Sequence, residues 1–361
     1  MGGRHSIEKV ERTNTNINTK NKKKHKGFKI ALIVLLVILI LIGGVIAAGY
    51  FYLNGKLSKM NIVDIDKTQL GVSEEANQNL SGYRNIAIFG VDSREDDYGK
   101  GNRSDCIIIA SINNNTKEVK LLSVYRDTYV QIEGHGLDKI THAYSFGEAP
   151  LAIKTLNTNL DLNITEFVTV NFDSVSDAVD ALGGVDINIE NNEIKYINDY
   201  VDETSKITHK SSKHITTSGK QRLDGVQAVS YSRVRYTAGG DAKRTERMRT
   251  VIEAMIERLK KKSFGEINDF ADKILPKVYT NIKTGDIMGM IPDIMKYKVS
   301  NSVGWPYETK GITLDRWYGV PVTLESNVLK MHQEVFDDKD YVVPERVKTI
   351  SDSIIKKSGY K

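Results

Sequence analysis

The sequence predicts an α/β fold: a three-layer α/β/α sandwich on a mixed central sheet, with one transmembrane helix at its N-terminal end. Three observations carry this expectation. Strand-like apolar runs alternate with amphipathic helical stretches through residues 84–361. Met248, Val251, Ile252, Met255, Ile256 and Leu259 recur at helical spacing, which makes a core-facing stripe. From Ile30 to Leu53 no residue is charged, a run of 24, long enough to cross a hydrocarbon layer about 30 Å thick.

In chain order, residues 1–29 form a basic tail with nine Lys/Arg and two Glu, a net of +7. The whole chain of 361 residues carries +5, so the remainder carries 5 − 7 = −2. The basic balance therefore belongs to the tail and gives no reason to expect nucleic-acid binding. Lys22, Lys23, Lys24, Lys26 and Lys29 sit just before the apolar run 30–53, which places the tail in the cytoplasm and the rest outside. The expectation is a single-pass protein of the cell membrane with an extracellular catalytic domain. Residues 54–83 are polar and irregular and read as a stalk. The folded domain is expected over 84–361, its motif-bearing part over 84–260.

Strands are expected at 85–91, 104–112 and 118–125, with NNNTK (113–117) as a turn. Paired as an antiparallel meander, they bring the end of the first, the start of the second and the end of the third to one edge. Asp92 and Arg94, Arg103 and Asp105, and Arg126 and Asp127 then converge there. Further on, helices are expected at 149–160 and 173–182, with strands at 166–172 and 184–189. Residues 190–222 read as a polar insertion without a clear period. Helices at 267–277, 285–297, 327–336 and 343–357 and a strand at 318–324 complete the domain.

The stretch YSRVRYTAGGDAKRTERMRTVIEAMIERL (231–259) is central. Arg244 and Arg247 lie one turn before Met248 and Val251, on the line of the buried face at a helix start. The helix dipole already makes that end positive, so cations there ask for an anion. Asp241 is placed to cap this helix and to serve as an internal partner. Arg233 and Arg235, two apart, share a face if the segment is extended. Glu246, Arg249 and Glu253 read as solvated surface.

Several chemistries are excluded by pattern. There is no GxSxG elbow, HExxH, Walker motif or paired-cysteine site, and the seven histidines show no metal spacing. The one cysteine, Cys106, sits in an apolar strand and forbids an intrachain disulfide. Arginines and aspartates remain, and arginine acts as a fixed electrostatic clamp. That set suits phosphoryl-type transfer, in which positioning and charge neutralisation dominate. Asp92 and Asp105 are candidate ligands for Mg²⁺, which takes one or two carboxylates plus substrate phosphates. Outside the cytoplasm, a lipid-linked pyrophosphate is the natural substrate. The apolar helices beside the sheet could house a prenyl chain, although ordinary core packing is the default for such faces.

GVDSR (90–94), RSDCIII (103–109), YRDTYV (125–130), DKITHAY (138–144), FVTVNF (167–172), GGVDI (183–187), LDGVQAVSYSRVR (223–235) and GDAKRTERMR (240–249) occur in this order after one membrane segment. This set resembles the LytR-CpsA-Psr family, closely over about residues 84–260. The resemblance implies an α/β/α sandwich with a lipid-binding cavity. It implies transfer of an anionic glycopolymer, wall teichoic acid or capsular polysaccharide, from an undecaprenyl-pyrophosphate carrier to peptidoglycan. It places Asp92 and Asp105 near Mg²⁺ (or Mn²⁺), and Arg94, Arg103, Arg126, Arg233, Arg235, Arg244 and Arg247 around the pyrophosphate, with Lys139 of the DKI motif beside them. Asp92, Arg126, Asp241 and Arg244 are the catalytic candidates, with Asp92 or Asp241 accepting the proton. Tyr125 departs from the proline the family usually has before Arg-Asp, and Met248 and Arg249 replace its usual glutamines. The alternatives are a polyprenyl-pyrophosphate phosphatase and a non-enzymatic envelope regulator of the transcriptional-attenuator kind.

Overall fold

The computed structural model describes residues 49, 51–93, 98–290, 293 and 296–361. The basic tail, Arg94 and all but the last residues of the expected membrane helix lie outside them. Among the described residues no helix is long and apolar enough to cross a membrane. The chain divides into two units, Met1–Gly55 and Lys56–Lys361. The second holds the fold described below.

Its centre is a mixed seven-stranded sheet of β1 (Asn61–Ile62), β2 (Tyr83–Val91), β3 (Ser104–Asn113), β4 (Glu118–Val124), β7 (Glu166–Asn171), β10 (Tyr279–Thr280) and β11 (Lys298–Trp305). The spatial order is β1-β10-β7-β2-β3-β4-β11, while β5 (Tyr129–Ile132) and β6 (Gly136–Lys139) pair as a separate hairpin. β2, β3 and β4 form the expected antiparallel meander, while β2 runs parallel to β7 and β4 parallel to β11. Parallel pairs need crossover connections. The chain between β4 and β7 supplies one as the run Ile140–Leu160. This run is two helices joined at Gly147–Glu148, where the backbone leaves the helical region, with Pro150 just beyond. Its first part, from Ile140 to Phe146, lies before the helix expected at 149–160.

Alternation along the strands sends successive side chains to opposite faces. Ala87, Phe89 and Val91 of β2, with Ile107 and Ile109 of β3, join a core built on Ile153, Leu156, Val328 and Ile354 of the helices Ile140–Leu160, Leu324–Val335 and Glu345–Ser358. Ile88, Gly90 and Cys106 face the other way, towards the helices Phe172–Ala181, Gly225–Arg233 and Gly240–Leu259. That face is not filled. A cavity of about 330 Å³ lies there, walled by all six residues of the stripe Met248 to Leu259. The helical spacing marks an inward face, but only Met248 and Val251 of the stripe are buried, and the face borders open space rather than solid core.

Two expectations are corrected here. Residues 54–83 are not a stalk: β1 pairs with β10, and Leu70 and Leu80 are buried in the main core. Residues 190–222 are not a formless insertion. They contain the helix Ile194–Thr208 and the strand β9 (Gly219–Leu223), which pairs with β8 (Val185–Ile189). Ile197, Val201, Thr204 and Thr208 are that helix's buried line.

Candidate active site

The β2–β3–β4 meander brings the expected charges to one edge. Asp92 follows β2, Asp105 lies early in β3, and Arg126 follows β4. Arg233 ends the helix Gly225–Arg233, and Arg235 follows its terminal Val234. The two are thus not on one extended strand, yet both reach the same place. Asp92, Arg103, Asp105, Arg126, Arg233, Arg235 and Arg244 line one polar pocket of about 250 Å³. Asp92 and Arg103 are exposed, and the Asp92 amide donates to the Arg103 carbonyl oxygen at 3.3 Å.

Asp105 is the hub. Its Oδ1 accepts from Arg126 Nη1 at 2.6 Å and its Oδ2 from Arg235 Nη2 at 3.4 Å, while its main-chain oxygen accepts from Arg244 Nη2 at 3.2 Å. Burial lowers the Arg126 pKa, but Asp105 and Asp127 outweigh it and hold the group above its usual value. Arg244 is 2% exposed. Its Nη2 lies 2.9 Å from Asp241 Oδ1, while its Nε and the Asp241 Oδ2 are buried without a hydrogen-bond partner. Burial pulls the Arg244 guanidinium below its usual range, and Asp241 only partly opposes this. Burial pushes the Asp241 carboxyl up, against the pull of Arg244. A buried cation with a free donor beside four more arginines has the chemistry that suits an anion.

Three expected residues stand elsewhere. Arg247 does not reach the pocket: its Nε donates to Glu193 Oε1 at 2.8 Å, with both side chains out of water. Lys139 is one shell back, 2.7 Å from Asp127 Oδ1, whose Oδ2 meets Arg126 Nε at 3.5 Å. Asp241 does not cap its helix. Gly239, at φ 95°, is the cap, and Asp241 sits in the first turn. Arg249, expected in solvent, is buried and held below its usual pKa by burial. His142 pairs with Asp138 at 2.8 Å, away from the pocket.

The sequence reading also missed partners from the region taken as an insertion. Arg233 stacks on Tyr200 and Phe172, with its guanidinium carbon 4.8 and 5.1 Å from the ring centres, and bonds Thr204 and Glu203. The i, i+4, i+7 line of Ile197, Val201 and Thr204 was the available signal.

Asp105, Phe172 and Met248 line both the polar pocket and the apolar cavity, so the two adjoin. Cys106 borders the cavity, and burial pushes its thiol up to about 12.

The profile of the LytR_cpsA_psr family matches residues 48–316. The chain belongs to this family. The LytR_cpsA_psr relatives include the polyisoprenyl-teichoic acid–peptidoglycan teichoic acid transferase TagU of Enterococcus faecalis, 34% identical, spanning 61% of this chain and 68% of the relative. They also include TagT of Bacillus subtilis, 31% identical over 63% of this chain and 70% of the relative. Among solved structures, TagT bound to LIIa-WTA superposes with a TM-score of 0.57 at 26% identity, covering 72% of this chain and 92% of that one. TagV of Bacillus subtilis superposes with a TM-score of 0.56 at 25% identity, covering 72% and 98%.

Proposed function

We propose that this protein is a membrane-anchored transferase that moves an anionic glycopolymer, of the wall teichoic acid or capsular polysaccharide type, from an undecaprenyl-pyrophosphate carrier to peptidoglycan. The observation that carries the reading is the shared wall at Asp105, Phe172 and Met248: an arginine-lined pocket adjoins a long apolar cavity. A diphosphate needs the first, and a prenyl chain needs the second. Family membership and the printed names of the TagU and TagT relatives support the same substrate class.

In this reading Arg103, Arg126, Arg233, Arg235 and Arg244 hold the diphosphate, with Arg94 assigned there by its motif. A diphosphate competes with Asp105 for the Arg126 and Arg235 guanidinium groups. The acceptor hydroxyl oxygen attacks the sugar-linked phosphorus, and the bond from that phosphorus to the bridging oxygen breaks. Polyprenyl phosphate leaves, and a phosphodiester remains on the acceptor. Asp241, whose carboxyl is biased towards holding a proton, or Asp92 accepts the hydroxyl proton. Lys139 and Arg247 position these groups rather than touching phosphate.

The donor set suits a hard cation. Asp92 and Asp105 supply carboxylate oxygens on the pocket wall, and among the described residues no group of three or more His, Cys, Asp or Glu is placed to hold a metal ion. The two carboxylates would hold Mg²⁺ (or Mn²⁺), with substrate phosphate and water as further ligands. Such an ion would offset negative charge on the transferring phosphoryl group. The basic tail and uncharged run 30–53 support a single pass with the domain outside the cytoplasmic membrane.

The test is the purified full chain with a polyprenyl-pyrophosphate-linked glycopolymer. Polymer attached to peptidoglycan, together with released polyprenyl phosphate, is expected. Release without attachment would identify a phosphatase, and no turnover would leave a binding protein.

A further inference from the structure

We propose that the corner Lys260–Phe264, backed by the helix Phe264–Ile274, is the face by which the domain rests on an anionic lipid surface, so that the apolar cavity opens onto the outer leaflet. The proposal rests on the cavity being the prenyl-chain site. The cavity follows the helix Gly240–Leu259 away from the arginines, and from Met248 to Leu259 that helix rises about 17 Å. At its far end the wall passes to Phe270 and Ile274 of the next helix. The connection between these two helices is Lys260-Lys261-Lys262-Ser263. The next residue, Phe264, is 75% exposed, and Ile267, one turn on, is 36% exposed. An aromatic side chain left in water beside three lysines, at the end of an apolar cavity, is the composition of an interfacial membrane contact.

The charges permit it. Lys260 pairs with Glu257 and Lys262 with Glu266, each at 2.8 Å, and both carboxylates are more than half exposed. In both pairs the acid stands in water, which weakens the attraction, so phosphate headgroups can replace the acids as partners. The acids Asp269 and Asp272 lie farther along the helix, and Asp272 is taken up by Lys56 and by Lys59, the latter at 2.7 Å. Lys56 and Lys59 thereby tie the first residues of the folded unit to this helix. A domain resting on this corner turns the far end of the cavity towards the leaflet. Lateral entry of the prenyl chain follows, without its full removal into water.

The full chain, reconstituted in phosphatidylglycerol–phosphatidylcholine vesicles, provides the test. An environment-sensitive label is placed at F264C or, as the control, at V342C, since Val342 is 78% exposed. Both labels go into a Cys106→Ala background, since Cys106 is part-buried at the cavity wall and would compete for the label. Nitroxide-bearing lipids are expected to quench the label at 264 at least threefold more than the label at 342. Equal quenching at both positions overturns the proposal. So does quenching of the 264 label by a nitroxide carried on a second copy of the chain in place of the lipid, which would mean a second protein copy covers the face. In a companion experiment, the K260E/K261E/K262E variant should turn over a bilayer-embedded long-chain donor about tenfold more slowly, yet match wild type on a water-soluble short-chain donor. Equal loss on both donors also overturns it. If the wild type uses neither donor, the transferase reading fails, and quenching still decides the docking.

Discussion

Arg247 and Glu193 form an ion pair sealed from water, joining the helix Gly240–Leu259 to a region 54 residues away in sequence. The same guanidinium donates to the Val234 carbonyl oxygen at 3.0 Å and to Thr237 Oγ1 at 2.6 Å. It thus fastens the short segment that carries Arg235 out of one helix and into the next. The expected outcome for Glu193→Ala or Arg247→Ala is a loss of stability of about 3–5 kcal/mol, since either leaves a buried charge alone. The double change Glu193→Leu with Arg247→Met should recover much of it. Urea titrations of the four proteins check this. Single variants as stable as wild type would mean the pair has no structural role.

Arg244 and Arg126 should respond differently from Arg247. Arg244 presents a buried Nε with no partner, so Arg244→Lys keeps the charge but removes the fork. A hydrogen bond to a charged group contributes about 1.5–3 kcal/mol, so affinity for inorganic pyrophosphate should fall roughly 10- to 100-fold. Arg126→Ala should cost at least as much, because it also leaves Asp105 with a weaker set of cations. Calorimetric titration with pyrophosphate is the measurement. Unchanged binding in both variants would remove the arginines from the site.

Asp241 should make pyrophosphate binding pH-dependent. Its carboxyl pKa is raised, chiefly by burial, with Arg244 opposing and Asp127 adding to the rise. A raised folded-state value means the native protein binds a proton more readily than the unfolded chain does. The associated stability is fully present below pH 3.8 and is lost as pH climbs through the folded value. An incoming anion pushes the same carboxyl higher still, so binding should take up a proton. Wild-type affinity for pyrophosphate should therefore strengthen relative to Asp241→Asn as pH falls from 7 towards 5. Parallel pH profiles for the two proteins would show that Asp241 takes no part.

Much of this arrangement was legible before any coordinates. Strands expected at 85–91, 104–112 and 118–125 are found at 83–91, 104–113 and 118–124, because alternating β-branched runs and the NNNTK turn are local signals. The convergence of Asp92, Asp105 and Arg126 followed from the meander alone. Contacts made across the chain were not legible. β1 is two residues long and is held by a strand more than two hundred positions later, so nothing near Asn61 marks it as sheet. Arg247 was correctly placed on the buried face, but helical spacing cannot name a partner, and Glu193 lay in a stretch read as formless. Periodicity likewise reports which face of the helix Gly240–Leu259 turns inward. It carries no information on whether side chains or a cavity lie opposite.

His332 should set an acid limit on stability, far from the transfer site. Its ring is buried and stacks on Tyr341 with centres 3.7 Å apart. Nε2 lies 3.0 Å from the Leu160 carbonyl oxygen, so it carries the proton and donates, leaving Nδ1 bare and without a partner. Burial holds the imidazole pKa below 6.5, although Leu160 and Asp161 work against it. With the folded value depressed, the unfolded chain takes up a proton first. The stability contributed is present above pH 6.5 and declines as pH falls below it, by up to about 1.4 kcal/mol per pH unit. His332→Gln keeps a donor for Leu160 and has no titratable group, so its stability should be lower at pH 7.5 and flatter between pH 6.5 and 5. Urea unfolding at several pH values compares the two slopes. A wild-type profile no steeper than that of the glutamine variant would mean that protonation of this ring has no bearing on acid unfolding.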